Sequence, residues 1–90
     1  MTKAEFIDQL ASRLSVKRSE AAAVLEAVLT EITENLKQGE KVQLIPFGSF
    51  QVRARRPREA RNPRTGQKIH IEGRRVPAFQ AGKALREAVR

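Results

Sequence analysis

Residues 50–76 read FQVRARRPREARNPRTGQKIHIEGRRV. Phe50-Gln51-Val52-Arg53-Ala54-Arg55 alternates, so Phe50, Val52 and Ala54 share one face of a strand and Gln51, Arg53 and Arg55 the other. One face packs; the other meets solvent or a ligand. Alternation fails at Arg56-Pro57, because proline has no N–H to give a ladder and belongs at an edge or a bulge. Beyond Arg61-Asn62-Pro63-Arg64-Thr65-Gly66, a turn-rich tip, it resumes in Lys68-Ile69-His70-Ile71-Glu72 and runs through Arg74-Arg75-Val76. This pattern predicts one long hairpin, Phe50 to Val76. Ten residues of strand reach about 30 Å at roughly 3.3 Å each, more than a chain of 90 residues needs to cover its own core. Much of the hairpin is expected to project and, lacking a packing partner, to be mobile until it binds something.

Working outward, Pro46-Phe47-Gly48-Ser49 carries turn residues, and Lys41-Val42-Gln43-Leu44 alternates as a half-buried strand. Before Gly39 the period is that of a helix. Ala21, Val24, Leu25, Val28, Leu29, Ile32 and Leu36 recur at steps of three and four, an arc of roughly 140° at about 100° per residue. Gly39 then supplies a left-handed C-terminal cap. A first helix is predicted from about Lys3 to Leu14, opened by Thr2-Lys3-Ala4-Glu5 as a capping box and carrying Phe6, Ile7, Leu10, Ala11 and Leu14 on one face. Downstream, Pro77-Ala78-Phe79 is expected to lead into a short helix from about Gly82 to Val89. The fold class is α+β: two N-terminal helices, a three-stranded antiparallel sheet with a long protruding β-ribbon arm, and a short C-terminal helix. Residues 1–90 are expected to form a single domain, with helices and first strand in 1–45, the sheet in 46–80 and its arm at about 53–76, and the last helix in 81–90.

The net charge of +8 is unevenly placed. Up to Ile45 the balance is −1; from Pro46 onward it is +9. Arg53 to Arg75 holds nine bases and two acids, a density that repels itself and that no scaffold needs. An anionic partner explains it. Arginine dominates, and its planar fork matches phosphate oxygens and enters a narrow minor groove. Pro63, rigid and donor-less between bases at the tip, is suited to wedge between stacked base pairs.

Other chemistries find little support. His70 stands alone, with no cysteine in the chain, so no metal site is expected, and no cofactor. Ser12, Ser15, Ser19 and Ser49 have only that arm histidine as a base, which argues against an enzyme. Phe6, Phe47, Phe50 and Phe79 are expected in a core. Without cysteine there is no disulfide framework, leaving oligomerisation as the staple for so small a chain. No stretch approaches the roughly 18 apolar residues of a membrane span, and no signal peptide is expected at the N-terminus; an intracellular home fits best.

Pro46-Phe47-Gly48-Ser49-Phe50, the tip Ala60-Arg61-Asn62-Pro63-Arg64-Thr65-Gly66, and Val76-Pro77-Ala78-Phe79 with Gly82-Lys83-Ala84-Leu85 resemble the bacterial histone-like HU proteins, relatives of integration host factor. Arg-Asn-Pro-x-Thr-Gly between alternating strands is the most specific of these. The resemblance covers essentially the whole chain. It implies an intertwined homodimer, or a heterodimer with a close paralogue, whose helices form a shared base and whose two arms hold double-stranded DNA through the minor groove. It implies that Pro63 enters the base stack flanked by Arg61 and Asn62, and that Arg53, Arg55, Arg58 and Arg74 line the backbone and groove. Arg64, Lys68 and Arg75 belong to the same basic arm. Gly48-Ser49 and Gly82-Lys83 would lie near phosphates at the body. This chain departs from many relatives at Pro57 and Glu59, where they have small residues, and at Ala60, where they have glycine. Pro57 could stiffen or kink the arm, and Glu59 puts an acid beside the phosphate path.

The dimer also has a physical case. The apolar arc of the second helix and the clustered phenylalanines exceed what one short helix can cover, so Val28, Leu29, Ile32, Phe47, Phe50 and Phe79 are expected in a core shared by two copies. The function expected is architectural: largely sequence-independent binding and bending of DNA, with bent, nicked or flexible DNA preferred, and nucleoid compaction in the cytoplasm. A site-specific subunit like integration host factor keeps the fold and changes the specificity. A small basic RNA-binding protein is a third reading, weakened by the absence of Tyr and Trp for stacking. An interaction module for acidic proteins or membrane surfaces explains the charge but not Asn62-Pro63 at a projecting tip.

Overall fold

The computed structural model describes residues 1–90. They form two compact units, Met1–Asn35 and Leu36–Arg90.

In the first unit, α1 spans Lys3–Leu14 and α2 starts at Arg18 and continues to Lys37. Thr2 caps α1: its Oγ1 accepts from the Glu5 amide at 3.1 Å. The Glu5 side chain returns to the Thr2 hydroxyl rather than to the amide of a full capping box, with Oγ1 donating to Oε1 at 3.3 Å. α1 ends on Ser15, which is left-handed at φ 57°, and the Val16 amide reaches back to the Ala11 carbonyl at 3.1 Å, a Schellman-type closure. The helices meet at Ile7, Ala11 and Ala21, with Leu10, Ala22 and Leu25 packed around them. Ala21 is wholly enclosed, its missing bulk allowing close approach. Arg18 Nε donates to Asp8 Oδ1 at 2.7 Å, and Lys3 pairs with Glu26, both in solvent where such pairs contribute little.

Ile7, Ala11 and Ala21 are the only buried hydrophobic residues in the chain. Phe6, Val24, Val28 and Leu29 remain 44–48% exposed. The arc read from the sequence is present on α2, but one chain covers only part of it.

In the second unit, Gly39 closes α2 at φ +80°, donating to the Leu36 carbonyl at 3.0 Å. A three-stranded antiparallel sheet has the order β1-β2-β5, with β1 at Val42–Leu44, β2 at Gly48–Arg55 and β5 at Arg74–Ala81. β3 (Arg58–Arg61) and β4 (Lys68–Ile71) form a separate two-stranded ladder, and α3 is Lys83–Ala88. The expected single hairpin is thus two ladders in series. The inner one runs from Gly48↔Ala81 to Arg55↔Arg74 and the outer one from Arg58↔Ile71 to Arg61↔Lys68. Residue numbers in every pair of both ladders add to the same total, so nothing is inserted on either strand. The pairs Arg56/Gly73 and Pro57/Glu72 are simply missing.

Two boundaries differ from expectation. Pro77-Ala78-Phe79 is strand, not a lead-in to the helix, and Ala81 ends β5, so the last helix is shorter than 81–90. Pro77 is tolerated because β5 is an edge strand and can turn its donor-less nitrogen outward. Around it Phe79 packs on Phe50 and Phe47, with ring centroids 4.8 and 5.6 Å away. Gly48 is required here: a Cβ would lie 2.6 Å from both the Gln80 carbonyl and the Phe79 ring.

Candidate nucleic-acid interface

Strand alternation sorts the arginines. On β2, Arg53 and Arg55 share a face with Gln51, and with the Gln51 amide oxygen turned toward it, Arg53 donates from Nη2 at 3.2 Å and Nε at 3.3 Å. Arg55 stands directly across from Arg74. Like charges in register cost stability, a cost that an anion lying over them removes. Arg75 must point the opposite way. It lies on the face of Ala54, Val52 and Phe50, and its Nη2 donates to the Leu36 and Lys37 carbonyls at 3.2 and 3.3 Å. A cation is favourable at these last carbonyls of α2, so Arg75 has a structural use that the charge count alone did not separate from Arg74.

The outer ladder pairs Arg58 with Ile71, Glu59 with His70, Ala60 with Ile69 and Arg61 with Lys68. His70 Nε2 is 3.1 Å from Glu72 Oε1, so the imidazole lies near both acids of the arm, Glu59 across the ladder and Glu72 just beyond the end of β4. At the tip, the Asn62 amide donates to the Gln67 carbonyl at 2.8 Å and the Gly66 amide to the Asn62 carbonyl at 2.7 Å. Asn62 Oδ1 also accepts from the Arg64 amide at 2.8 Å, an Asx turn, and Thr65 Oγ1 from the Gln67 amide at 3.3 Å. Gly66 turns the chain at φ +74°. Pro63 is held at the exposed summit of this frame, with Asn62 half-buried beneath.

At the other end of the inner ladder, a depression of about 410 Å³ is lined by Gln43, Ser49, Gln80, Gly82, Lys83 and Arg86, among others. Gly48, Ser49, Gly82 and Lys83 are thereby brought together. Gln43 enters because it pairs with Ser49, and Arg86 because it follows Lys83 by three on α3. The sequence reading missed both; helical spacing held the signal for Arg86. Gly82 donates to the Phe47 carbonyl at 2.7 Å, and a Cβ there would meet the Pro46 carbonyl at 2.2 Å.

A body with clustered amides and cations, and a cationic ribbon ending on a proline, is the arrangement of one known group. The bacterial DNA-binding protein family matches residues 1–90. The chain belongs to this family, in its HU branch. It is 50% identical over 90 residues to DNA-binding protein HU of Pasteurella multocida, covering all of both chains. With DNA-binding protein HU-beta of Serratia marcescens it shares 47% over 89 residues, 99% of each. Among solved structures it is similar to HU from an Anabaena HU–DNA cocrystal, with a TM-score of 0.89 at 49% identity over 99% of this chain and 97% of that one. HU from Thermotoga maritima gives a TM-score of 0.73 at 36% identity, over the whole of both chains. The relatives are named as DNA-binding proteins, and no helix of this HU-family chain is long and apolar enough to cross a membrane. Pro57, Glu59 and Ala60 fall at the break between the ladders and just beyond it. The Pro57 ring occupies the space beside Gly73, where a Cβ would meet Pro57 Cδ at 2.8 Å and the Arg55 carbonyl at 2.9 Å.

Proposed function

We propose that this chain is an architectural double-stranded DNA-binding protein, acting as a dimer of itself or with a close paralogue, and that residues 1–90 work as one domain. The observation that carries this is the ribbon: exposed arginines in register across it, ending on a braced proline. Arg53, Arg55, Arg58, Arg61, Arg64, Lys68 and Arg74 neutralise phosphates along the groove. Pro63 wedges between base pairs, and Asn62 holds it there. Ser49, Gly82, Lys83 and the amide-rich depression take phosphates at the body. Arg75 anchors the arm's root through the Leu36 and Lys37 carbonyls. Affinity then comes chiefly from counterion release, and specificity from DNA that bends readily. No base-reading helix is present, since α2 shows Glu26, Glu31 and Glu34 on its exposed side. No step of the function is enzymatic, and its place is the nucleoid.

Dimerisation rests on uncovered apolar surface in each unit: Val28 and Leu29 in the first and Phe47 and Phe79 in the second are 42–49% exposed in the single chain, and Ile32 and Phe50 are half-buried. The test is Pro63→Ala. Bending, read by energy transfer between DNA ends, should fall while helicity and dimerisation persist; unchanged bending would sink the wedge.

A further inference from the structure

The two ladders share one register, yet their hydrogen bonding is out of phase. In antiparallel strands, opposed residues alternate between pairs that exchange N–H···O bonds and pairs that do not. Pro77 has no N–H and is paired with Val52, so Val52↔Pro77 is a non-bonded pair. The bonded pairs of the inner ladder therefore sit at odd residues of β2. The bond from the Gly82 amide to the Phe47 carbonyl, one step before the ladder begins, agrees. In the outer ladder the closing bond runs from the Asn62 amide to the Gln67 carbonyl. Its bonded pairs therefore sit at even residues: Arg58↔Ile71 and Ala60↔Ile69.

Pro57 explains the change. Continued at the inner phase, Pro57 would fall at a bonded position opposite Glu72 and would have to supply a donor it lacks. The ladder stops, the Pro57 ring settles beside Gly73, and pairing resumes one phase later. Because L residues have one handedness, bonded pairs all project on one face of a ribbon and non-bonded pairs on the other. Unbroken alternation would put Glu59 on the face of Arg53 and Arg55. The shifted phase puts Arg58 there instead, followed by Ala60, Ile69 and Ile71, and sends Glu59 and His70 to the opposite face together with Arg61 and Lys68, whose long side chains can still reach round the ribbon's edge to phosphate. Ile69 and Ile71 are 44% and 36% exposed, an apolar lane suited to the deoxyribose walls of a groove.

We propose that Pro57 and Gly73 form a phase-shifting joint that turns the acid of the outer ribbon away from the DNA-facing lane, making both positioning residues for the arm. This rests on the reading that the ribbon binds DNA.

The phase is read directly by NMR of the intact protein, since non-bonded pairs bring their Cα atoms to about 4.5 Å and bonded pairs leave them at about 5.5 Å. Strong Hα–Hα contacts are expected for Glu59/His70 and Arg61/Lys68, and not for Arg58/Ile71; the reverse pattern overturns the joint. Binding to a fixed DNA duplex reads the faces. Glu59→Gln should leave Kd within about twofold, screened on the remote face, whereas Ala60→Glu should weaken binding by at least about tenfold through like charge against phosphate. A larger gain from Glu59→Gln than loss from Ala60→Glu would refute the assignment. Pro57→Ala returns the missing donor and should weaken binding, with Glu59→Gln recovering part of the loss only in that background; no recovery overturns the positioning role. Arg58→Ala marks the underlying reading: if it too leaves affinity unchanged, the ribbon does not bind DNA, and both readings fall together.

Discussion

Replacing Phe47 by alanine is the sharpest probe of the shared core. Phe47 is 49% exposed in the single chain and touches Phe79 at its only recorded ring contact, 5.6 Å between centroids. A phenylalanine buries about 200 Å², so about half of that, roughly 100 Å² per protomer, is left for the partner to cover. At about 25 cal/mol per Å² this is about 2.5 kcal/mol per protomer, and two-fold symmetry counts it twice, giving about 5 kcal/mol. Each 1.4 kcal/mol is a factor of about ten, so the dimer should weaken by more than about a thousandfold. Sedimentation equilibrium across nanomolar to micromolar protein gives the association constant. Circular dichroism on the same samples shows whether dissociation is accompanied by unfolding, since partner loss should lower helicity. An association constant within threefold of the parent's, at equal helicity, would refute the claim that this face is covered by a second copy.

Thr2→Ala removes the hydroxyl that accepts the Glu5 amide and should cost about 1 kcal/mol in thermal or urea unfolding. Arg75→Ala should destabilise the end of α2 and weaken DNA binding with the salt slope nearly unchanged, while Arg74→Ala should lower that slope by about 0.9; titrations at several salt concentrations tell them apart. Gly82→Ala places a Cβ 2.2 Å from the Pro46 carbonyl, a clash with backbone that should lower the melting temperature by several degrees or prevent folding. A normal melting profile would show that the turn at Pro46 can move.

Local chemistry made much of this legible beforehand. Thr2, Gly39 and the apolar spacing of α1 and α2 act within a few residues of themselves, and the elements they mark are present. The break at Arg56-Pro57 was also visible, since a missing donor is a property of one residue. The phase of the ladders on either side was not, because it depends on which carbonyl Asn62 and Gly82 reach. The sequence reading ends the hairpin at Val76 for a related reason: whether a donor-less residue such as Pro77 can continue a strand depends on that strand lying at an edge, which is a fact of topology. Arg75 was grouped with Arg74 by charge, although adjacent strand residues face opposite ways; only the arrival of the Leu36 and Lys37 carbonyls shows what that face is for.

The tip satisfies most of its own amides. Asn62, Arg64, Gly66 and Gln67 each have their amide hydrogen taken by an oxygen of the same loop, and Pro63 has none to satisfy. A buried N–H without a partner costs about 1–3 kcal/mol, so an ordinary turn pushed between bases would forfeit several such amounts as water is stripped from it. This one carries its acceptors with it. If Pro63 enters a base stack as proposed, the work of parting the bases outweighs dehydration of these four amides, which locates most of the barrier to insertion in the stiffness of the DNA step.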